Sequence, residues 1–316
     1  MKIRKAEKRS DKGFKGNALI KCIRKKYALY LLLLPMLLLT IYFSYVPMFG
    51  TVIAFMDYDI FGGFTGSKWV GFEHFIKIFT MPDFTKSIGN TLYLSMLNLL
   101  ITQPAPLLFA LLLNEIRGKL FKRVLQTASY LPHFLSYIAV IGLSYSIFST
   151  YGIVNDLRVA ILGEDTERIR FLASQSFFVP NVMILTVWKS IGWASIIYLA
   201  AITGIDPQLY EAAYVDGASR FKQCIHITIP SILPTAIMIY IIQIGNVFRD
   251  NFDLVYGLQN AFIDFETIST LVYKQGIKNG NYSVATALGL FQGVMGFLLV
   301  ALANKISKKI NDVALW

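Results

Sequence analysis

Lys25-Lys26-Tyr27-Ala28-Leu29-Tyr30-Leu31-Leu32-Leu33-Leu34-Pro35-Met36-Leu37-Leu38-Leu39-Thr40-Ile41-Tyr42-Phe43-Ser44-Tyr45-Val46-Pro47-Met48-Phe49 opens on two cations and then carries no charge to its end. A helix needs about 20 predominantly apolar residues to cross the hydrocarbon core of a bilayer, and the run from Tyr27 to Phe49 is long enough. It is also longer than the apolar stretch of a secretory signal, about 7–15 residues, and no small-x-small cleavage site follows it. The expectation is a retained membrane span.

Five further stretches meet the same requirement, approximately Ile88 to Leu113, Leu131 to Ser149, Phe177 to Ala201, Ile232 to Phe248 and Ser283 to Ala303. Of the 316 residues, 55% are hydrophobic and 16% charged, against roughly 45–50% and about 25% in soluble domains. The fold class expected is all-α, a polytopic protein of six transmembrane helices. A basic tail (1–26) and a short C-terminal tail (306–316) flank one membrane domain (27–305). Little chain remains for a soluble domain.

Charge gives the orientation. Lys2, Arg4, Lys5, Lys8, Arg9, Lys12, Lys15, Lys21, Arg24, Lys25 and Lys26 precede the first span, which predicts a cytoplasmic N-terminus. Six spans return Lys305, Lys308 and Lys309 to the same side. Arg117, Lys119, Lys122 and Arg123 place the second connection inside, whereas segments 50–87, 156–170 and 249–278 are balanced in sign and fall outside. The net charge of +11 therefore reads as anionic-lipid attraction, about 1 kcal/mol per basic residue near the surface, and not as a nucleic-acid site. Cys22 and Cys224 both fall on the cytoplasmic side, so no disulfide framework is implied.

Several chemistries lack their residues. No span carries Asp or Glu in its interior, which argues against proton-coupled carriage, since intramembrane ionisable groups mark such routes. His74, His133 and His226 are scattered, there is no HExxH, and no GxxxxGK[ST] phosphate loop occurs. No catalytic site, metal site or cofactor is expected in this chain.

The stretch after the fourth span is the most informative of the loops. Asp206 can cap a helix whose first residue, Pro207, needs no N–H there. The helix is expected to run to about Asp216, with Gly217 permitting the chain to turn. Ser219 can cap a second short helix before Pro230 and Pro234 introduce the fifth span. The result is a helical hairpin with Glu211 as its charge and Ala212 and Ala213 as its small residues.

This loop, 206–230, resembles the EAA loop of ABC importer permeases, with Glu211, Ala212, Ala213, Asp216, Gly217, Ile227, Ile229 and Pro230 at the family's positions; Ile229 stands where leucine is usual. Trp69-Val70-Gly71-Phe72-Glu73-His74-Phe75 with Asn90-Thr91 looks like the first outer loop of sugar permeases. Tyr130-Leu131-Pro132-His133-Phe134-Leu135-Ser136 is similar to the third-span entrance of LplB-like polysaccharide permeases. Asn251-Phe252-Asp253-Leu254-Val255-Tyr256, Asn281-Tyr282-Ser283-Val284-Ala285 and the terminus Asn311-Asp312-Val313-Ala314-Leu315-Trp316 extend the likeness over most of the chain.

The resemblance implies a type I importer permease in a bacterial plasma membrane. It implies a heterodimer with a second homologous permease, two cytoplasmic ATPase subunits that bind ATP and Mg, and an extracellular solute-binding protein. The cargo implied is an oligosaccharide, acidic ones included. Glu211 would pair with a basic residue of the ATPase. A permease for a non-sugar solute, or a secondary transporter that needs no ATPase, are the alternatives.

Candidates for the substrate pathway are Trp188, Lys189 and Trp193 on the fourth span, joined by Tyr198, and Tyr240, Gln243 and Asn246 on the fifth. Gln243 and Asn246, three residues apart, share a helical face. Each aromatic is also readable as core filler or as a residue of the membrane interface. Lys189, near mid-span, reads either as one half of an internal ion pair, for instance with the partner permease, or as a cation for a sugar carboxylate. Gly289, Gly293 and Gly296 have the spacing that lets helices approach closely.

Overall fold

The computed structural model describes residues 26–311, 314 and 315. Most of the basic tail, Cys22, and Asp312, Val313 and Trp316 of the terminal motif lie outside the described residues. Two compact units divide the chain, Met1–Ile53 and Ala54–Trp316. In the first, the helix Tyr27–Thr40 continues through a π turn, Ile41–Tyr45.

Among the described residues six helical segments are long and apolar enough to cross a membrane: Tyr27–Phe55, Pro82–Glu115, Tyr137–Leu162, Gln175–Thr203, Arg220–Gly245 and Tyr282–Lys309. All six expected spans are there, with shifted ends. Leu, Ile and Phe side chains such as Leu108, Leu112, Ile184, Phe297 and Leu298 remain exposed along them, as a lipid-facing bundle requires. Within the second unit the fourth span is the most enclosed, with 39% of its apolar window buried against 17–28% for the others. It is the axis on which the rest packs. Ala110, Tyr198, Ile202, Ile232 and Ala236 form a buried cluster joining the second, fourth and fifth spans near one end.

A recurring device seats the prolines. A proline ring clashes with the carbonyl four residues back and offers no N–H to it. Here each of three π turns, Ile41–Tyr45, Asn98–Thr102 and Cys224–Thr228, ends two residues before a proline: Pro47, Pro104 and Pro230. The wider turn moves the crowded carbonyl aside, so the helix proceeds instead of breaking. This corrects the expected start of the fifth span. Pro230 and Pro234 do not introduce that helix; it is already running from Arg220. It also stops at Gly245, three residues short of Phe248. Beyond the stop, the Val247 carbonyl accepts from Ser95 Oγ (2.5 Å) and the Phe248 carbonyl from Gln292 Nε2 (2.8 Å).

The third span departs furthest from expectation. Helix Lys119–Tyr130 leads into a 3₁₀ turn, Leu131–Phe134, and a second helix, Tyr137–Phe148, capped by Ser136, which accepts from the Ala139 N–H at 3.2 Å. We take the crossing as the discontinuous helix Lys119–Phe148, whose second part opens the apolar segment Tyr137–Leu162 and is followed by a separate helix, Ile153–Leu162. Its break lies beside Lys189, fourteen residues from either end of the Gln175–Thr203 helix and so halfway along it. Pro132 and the capping serine explain the interruption.

Gly192 sets how closely this broken helix and the fourth span meet. A Cβ there would fall 2.1 Å from the Ser129 carbonyl oxygen, which is backbone and cannot swing away. Gly192→Ala is therefore expected to lower stability by about 1–3 kcal/mol, the usual range for overpacking. The thermal midpoint of the purified protein in detergent measures it, and an unchanged midpoint would show that the two helices are not in contact. Gly296 plays a similar part, since a Cβ on it would lie 2.6 Å from the Gly245 oxygen. A Cβ on Gly289 or Gly293 would meet nothing within 4 Å among the described residues, so among these residues only Gly296 of the three spaced glycines sets a helix contact.

At the opposite end from the 206–219 hairpin, short elements cover the bundle. Strands β1 (Met56–Asp57) and β2 (Lys68–Trp69) pair antiparallel. Phe55 packs against Trp69, Phe72 and Phe75. Thr91 Oγ1 accepts from the Ile268 N–H (2.9 Å), and Asn90 donates to the Glu266 carbonyl (2.9 Å). Asn155, fully buried, donates to the carbonyls of Ser149 and Ile169 and accepts from the Ile169 N–H. One amide thereby closes the loop between the third and fourth spans.

Candidate functional site

The hairpin after the fourth span folds as its sequence predicts. Asp206 accepts from the Gln208 N–H at 3.0 Å, Pro207 occupies the first position, and the helix runs Pro207–Val215. It ends in a Schellman arrangement: Ala218 N–H donates to the Ala213 carbonyl (2.9 Å) and Gly217 N–H to that of Tyr214 (3.0 Å). Gly217 has φ +73°, the left-handed conformation that glycine takes without penalty. Ser219 accepts from the Lys222 N–H at 3.4 Å and starts the next helix.

None of the residues Pro207–Val215 is buried. Leu209, Tyr214, Val215 and Phe221 stand exposed, Val215 at 85%, on a segment that is too polar to lie among lipid chains. Glu211 and Ala212 are exposed, while Ala213 and Ile227 are half-buried. Glu211 has no ion-pair partner among the described residues. Such an apolar, uncovered surface with one free carboxylate suits a protein partner. The hairpin is steadied from behind, where Tyr210 Oη and Thr228 Oγ1 are 2.8 Å apart and Arg220 pairs with Glu115 at 3.2 Å. Glu115, Arg117, Tyr210, Glu211 and Arg220 line a cleft of about 750 Å³ between the hairpin and the end of the second span. The Arg220–Glu115 pair was not anticipated, because 105 residues separate the two.

The other candidates divide. Tyr240 lines an apolar groove with Leu107, Ile244 and Ile306. Asn246 lines a separate cavity of about 260 Å³ with Arg249, Gln292, Gly293 and Gly296. Gln243 is half-buried between them in sequence but borders neither. Trp193 lies flat on His133, centroids 4.6 Å apart, with Phe134 edge-on. Trp188 is 41% exposed and, five residues from Trp193, points to a different side of the helix. Tyr198 is buried core. Arg249, which borders the Asn246 cavity, is a cation that the sequence reading omitted; its place three residues beyond Asn246 was the available signal.

Lys189 requires a correction. It is 7% exposed, yet its partner is neither a carboxylate nor an open cavity. Nζ donates to the carbonyls of Pro132 (3.3 Å), His133 (2.7 Å) and Leu135 (2.5 Å) and lies 4.9 Å from the Tyr137 ring centre. An ammonium has three N–H donors, and all three are used. Both the ion-pair reading and the sugar-carboxylate reading give way to a backbone clamp on the broken third span.

On the far face, three cations are matched with carboxylates. Lys86 pairs with Asp264, Arg168 with Asp156 at 2.8 Å, and Lys274 with both Glu266 (3.1 Å) and Asp83 (3.6 Å). Burial opposes the charge on Lys274, but Glu266 and Asp83 outweigh it and hold the ammonium above its ordinary pKa. Asp250 accepts from Thr267 Oγ1 at 2.7 Å, and its other oxygen is buried without a partner among the described residues.

Residues 103–312 match the family described as the binding-protein-dependent transport system inner membrane component. The chain is 46% identical over 301 residues to the polygalacturonan/rhamnogalacturonan transport system permease protein YteP of Bacillus subtilis strain 168, covering 94% of this chain and 92% of that one. It is 41% identical to Protein LplB of the same organism, over 96% and 95% of the two chains. Among solved structures, it is similar to a chain of a bacterial alginate ABC transporter in complex with an alginate pentasaccharide-bound periplasmic protein. The TM-score is 0.84 at 36% identity, covering 93% of this chain and 99% of that one.

Proposed function

Because the chain belongs to the family of inner membrane components of binding-protein-dependent transport systems, we propose that it is the membrane-spanning permease of an ATP-driven importer of acidic oligosaccharides. The observation that carries the reading is the uncovered Pro207–Val215 helix, capped at both ends and presenting Glu211, Tyr214 and Val215 to a partner. In this reading the hairpin lies in the cytoplasm and seats in one of two ATPase subunits. ATP and Mg are bound there and not by this chain, which performs no bond chemistry of its own. A second, homologous permease completes the pathway, and an extracellular binding protein delivers the sugar.

Support for the substrate class comes from polygalacturonan and alginate, the polymers named for two of its relatives. Both are polyuronates, with a carboxylate on every sugar unit of alginate and of galacturonan. Tyr240, Gln243 and Asn246, with Arg249 now added, are the pathway residues proposed. Trp188 and Trp193 remain candidates on the fourth span. ATP binding and the loaded binding protein must both favour the outward-facing state, since a ligand shifts an equilibrium only by its differential affinity.

Uptake of radiolabelled trigalacturonate by cells whose only oligouronate importer contains this chain tests the proposal. Deleting the gene, or depleting ATP, is expected to reduce uptake at least about tenfold. Undiminished uptake after ATP depletion would overturn the ATP-driven reading, and uptake that is indifferent to the gene would overturn the substrate.

A further inference from the structure

We propose that Lys278, held over Tyr256 and Tyr273, is a receiving site for sugar carboxylates on the far face of the bundle; this rests on the acidic-oligosaccharide reading above. The site is built from the last loop between spans. Asn251 caps the helix Phe252–Leu258, accepting from the Leu254 N–H at 3.4 Å, and so fixes where Phe252 and Tyr256 emerge one turn apart. Phe252 and Tyr256 stack at 5.2 Å and 12°. Tyr273, from the helix Ile268–Tyr273, closes the cluster at 4.8 Å from Tyr256 and 5.3 Å from Phe252. Lys278 lies one turn further on, its Nζ 5.2 Å from the Tyr256 ring centre and 6.0 Å from that of Tyr273.

What distinguishes Lys278 is its company. One turn earlier, Lys274 is saturated by Glu266 and Asp83, and Lys86 by Asp264. Lys278 has no carboxylate within ion-pair distance among the described residues, and it is exposed. Two aromatic faces, negative at their centres, hold the ammonium in place without neutralising it. A flexible lysine in water loses rotamer freedom when it captures an anion; here part of that ordering is already done by the rings. The phenol groups add neutral hydrogen-bonding partners beside the cation. A fixed, unneutralised cation flanked by phenols suits a carboxylate that belongs to a hydroxyl-rich molecule. Phe252 follows Arg249 by three residues, so the cluster also leads in sequence toward the cavity of Asn246 and Arg249.

The test compares trigalacturonate with its fully methyl-esterified form, which keeps the sugar framework and removes the charge. In proteoliposomes holding the complete importer, at saturating ATP, Lys278→Gln is expected to raise the half-saturating concentration of trigalacturonate about tenfold, the loss of one charge-assisted contact. The ester is expected to be unaffected, and Lys278→Arg is expected to restore most of the loss. Affinity of the loaded binding protein for the importer should be unchanged in Lys278→Gln. Equal effects on acid and ester, no effect on either, or weakened docking of the binding protein would each overturn the proposal. Where the ester is not carried at all, carbodiimide coupling of trigalacturonate to the importer replaces that arm. An amide on Lys278 in excess of those on Lys68 and Lys77 then supports the site, and its absence overturns it. If the unaltered importer carries neither sugar, the substrate reading fails first.

Discussion

Replacing Lys189 with methionine is expected to cost the protein about 2–4 kcal/mol and to lower its thermal midpoint in detergent by about 3–6 °C. The number follows from what the ammonium touches. Three carbonyls at the break of the third span, those of Pro132, His133 and Leu135, take its three N–H groups. Helix termini leave carbonyls without intrahelical partners, and in lipid no water replaces them; of the three, that of Pro132 also accepts from the Leu135 N–H at 3.2 Å, so the loss falls on His133 and Leu135. A hydrogen bond to a charged group contributes about 1.5–3 kcal/mol, and an orphaned buried acceptor costs about 1–3 kcal/mol. Against this stands the relief of no longer burying a charge, which is why the sum of three bonds is not expected in full. With an unfolding entropy of about 2.1 cal/mol/K per residue, a change of 1 kcal/mol moves the midpoint of a chain of this length by about 1.5 °C. Methionine fills most of the space, so the loss reports the donors and not a cavity. A substrate-binding lysine would behave otherwise: the melt would be unchanged and only the preference for acidic sugars would fall. That outcome would reinstate the reading that the geometry now displaces.

The contrast between Lys189 and the hairpin shows what kind of information a sequence holds openly. Asp206, Pro207, Gly217 and Ser219 were legible because each acts on backbone within a few residues of itself. Their roles as cap, first-turn residue and left-handed terminator depend on local geometry alone. The spans were legible for a similar reason, since a bilayer reads mean hydropathy over some twenty residues. Lys189 acts on carbonyls 54–57 residues away, and nothing near it in sequence says so. Its position invited a search for a carboxylate, the commonest partner of a buried lysine, when an interrupted helix had already supplied acceptors. Pro132 and Ser136 were the traces of that interruption, and they were visible. The π turns are a milder case: Pro47, Pro104 and Pro230 announce trouble in a helix but not that a widened turn two residues earlier resolves it. Arg249 and Lys278 were missed because a cation on a loop has no local signature until its neighbours are known. Lys278 becomes distinctive only beside Lys274, whose two carboxylates it lacks.

At the hairpin, Glu211→Lys is expected to abolish ATP-dependent uptake, by more than about tenfold, while leaving the melting temperature within about 1 °C of the unaltered protein. The side chain is exposed and makes no ion pair among the described residues, so the fold loses little when it is exchanged; surface substitutions of this kind usually lie within about 0.5 kcal/mol. Its partner is proposed to be a basic residue in a groove of the ATPase. Reversing the charge there turns an attraction into a like-charge contact, which costs several kcal/mol where water is excluded. The loss should therefore appear in association: the variant permease should fail to co-purify with the ATPase, and an acidic substitution in the ATPase groove should recover both binding and uptake. Gly217→Val separates the charge from the geometry. Valine at φ +73° is strained by about 1–2 kcal/mol. It is relieved by unwinding the Schellman turn that Ala213 and Ala218 close, which tilts the helix without touching Glu211. If Glu211→Lys retained full ATP-driven uptake, the exposed helix would not be the grip of the motor. If Gly217→Val alone abolished uptake, the partner would be reading the angle of the hairpin and not its carboxylate. Loss in both, with charge-reversal rescue only in the first, is the result that a rigid helix seated by one ion pair requires.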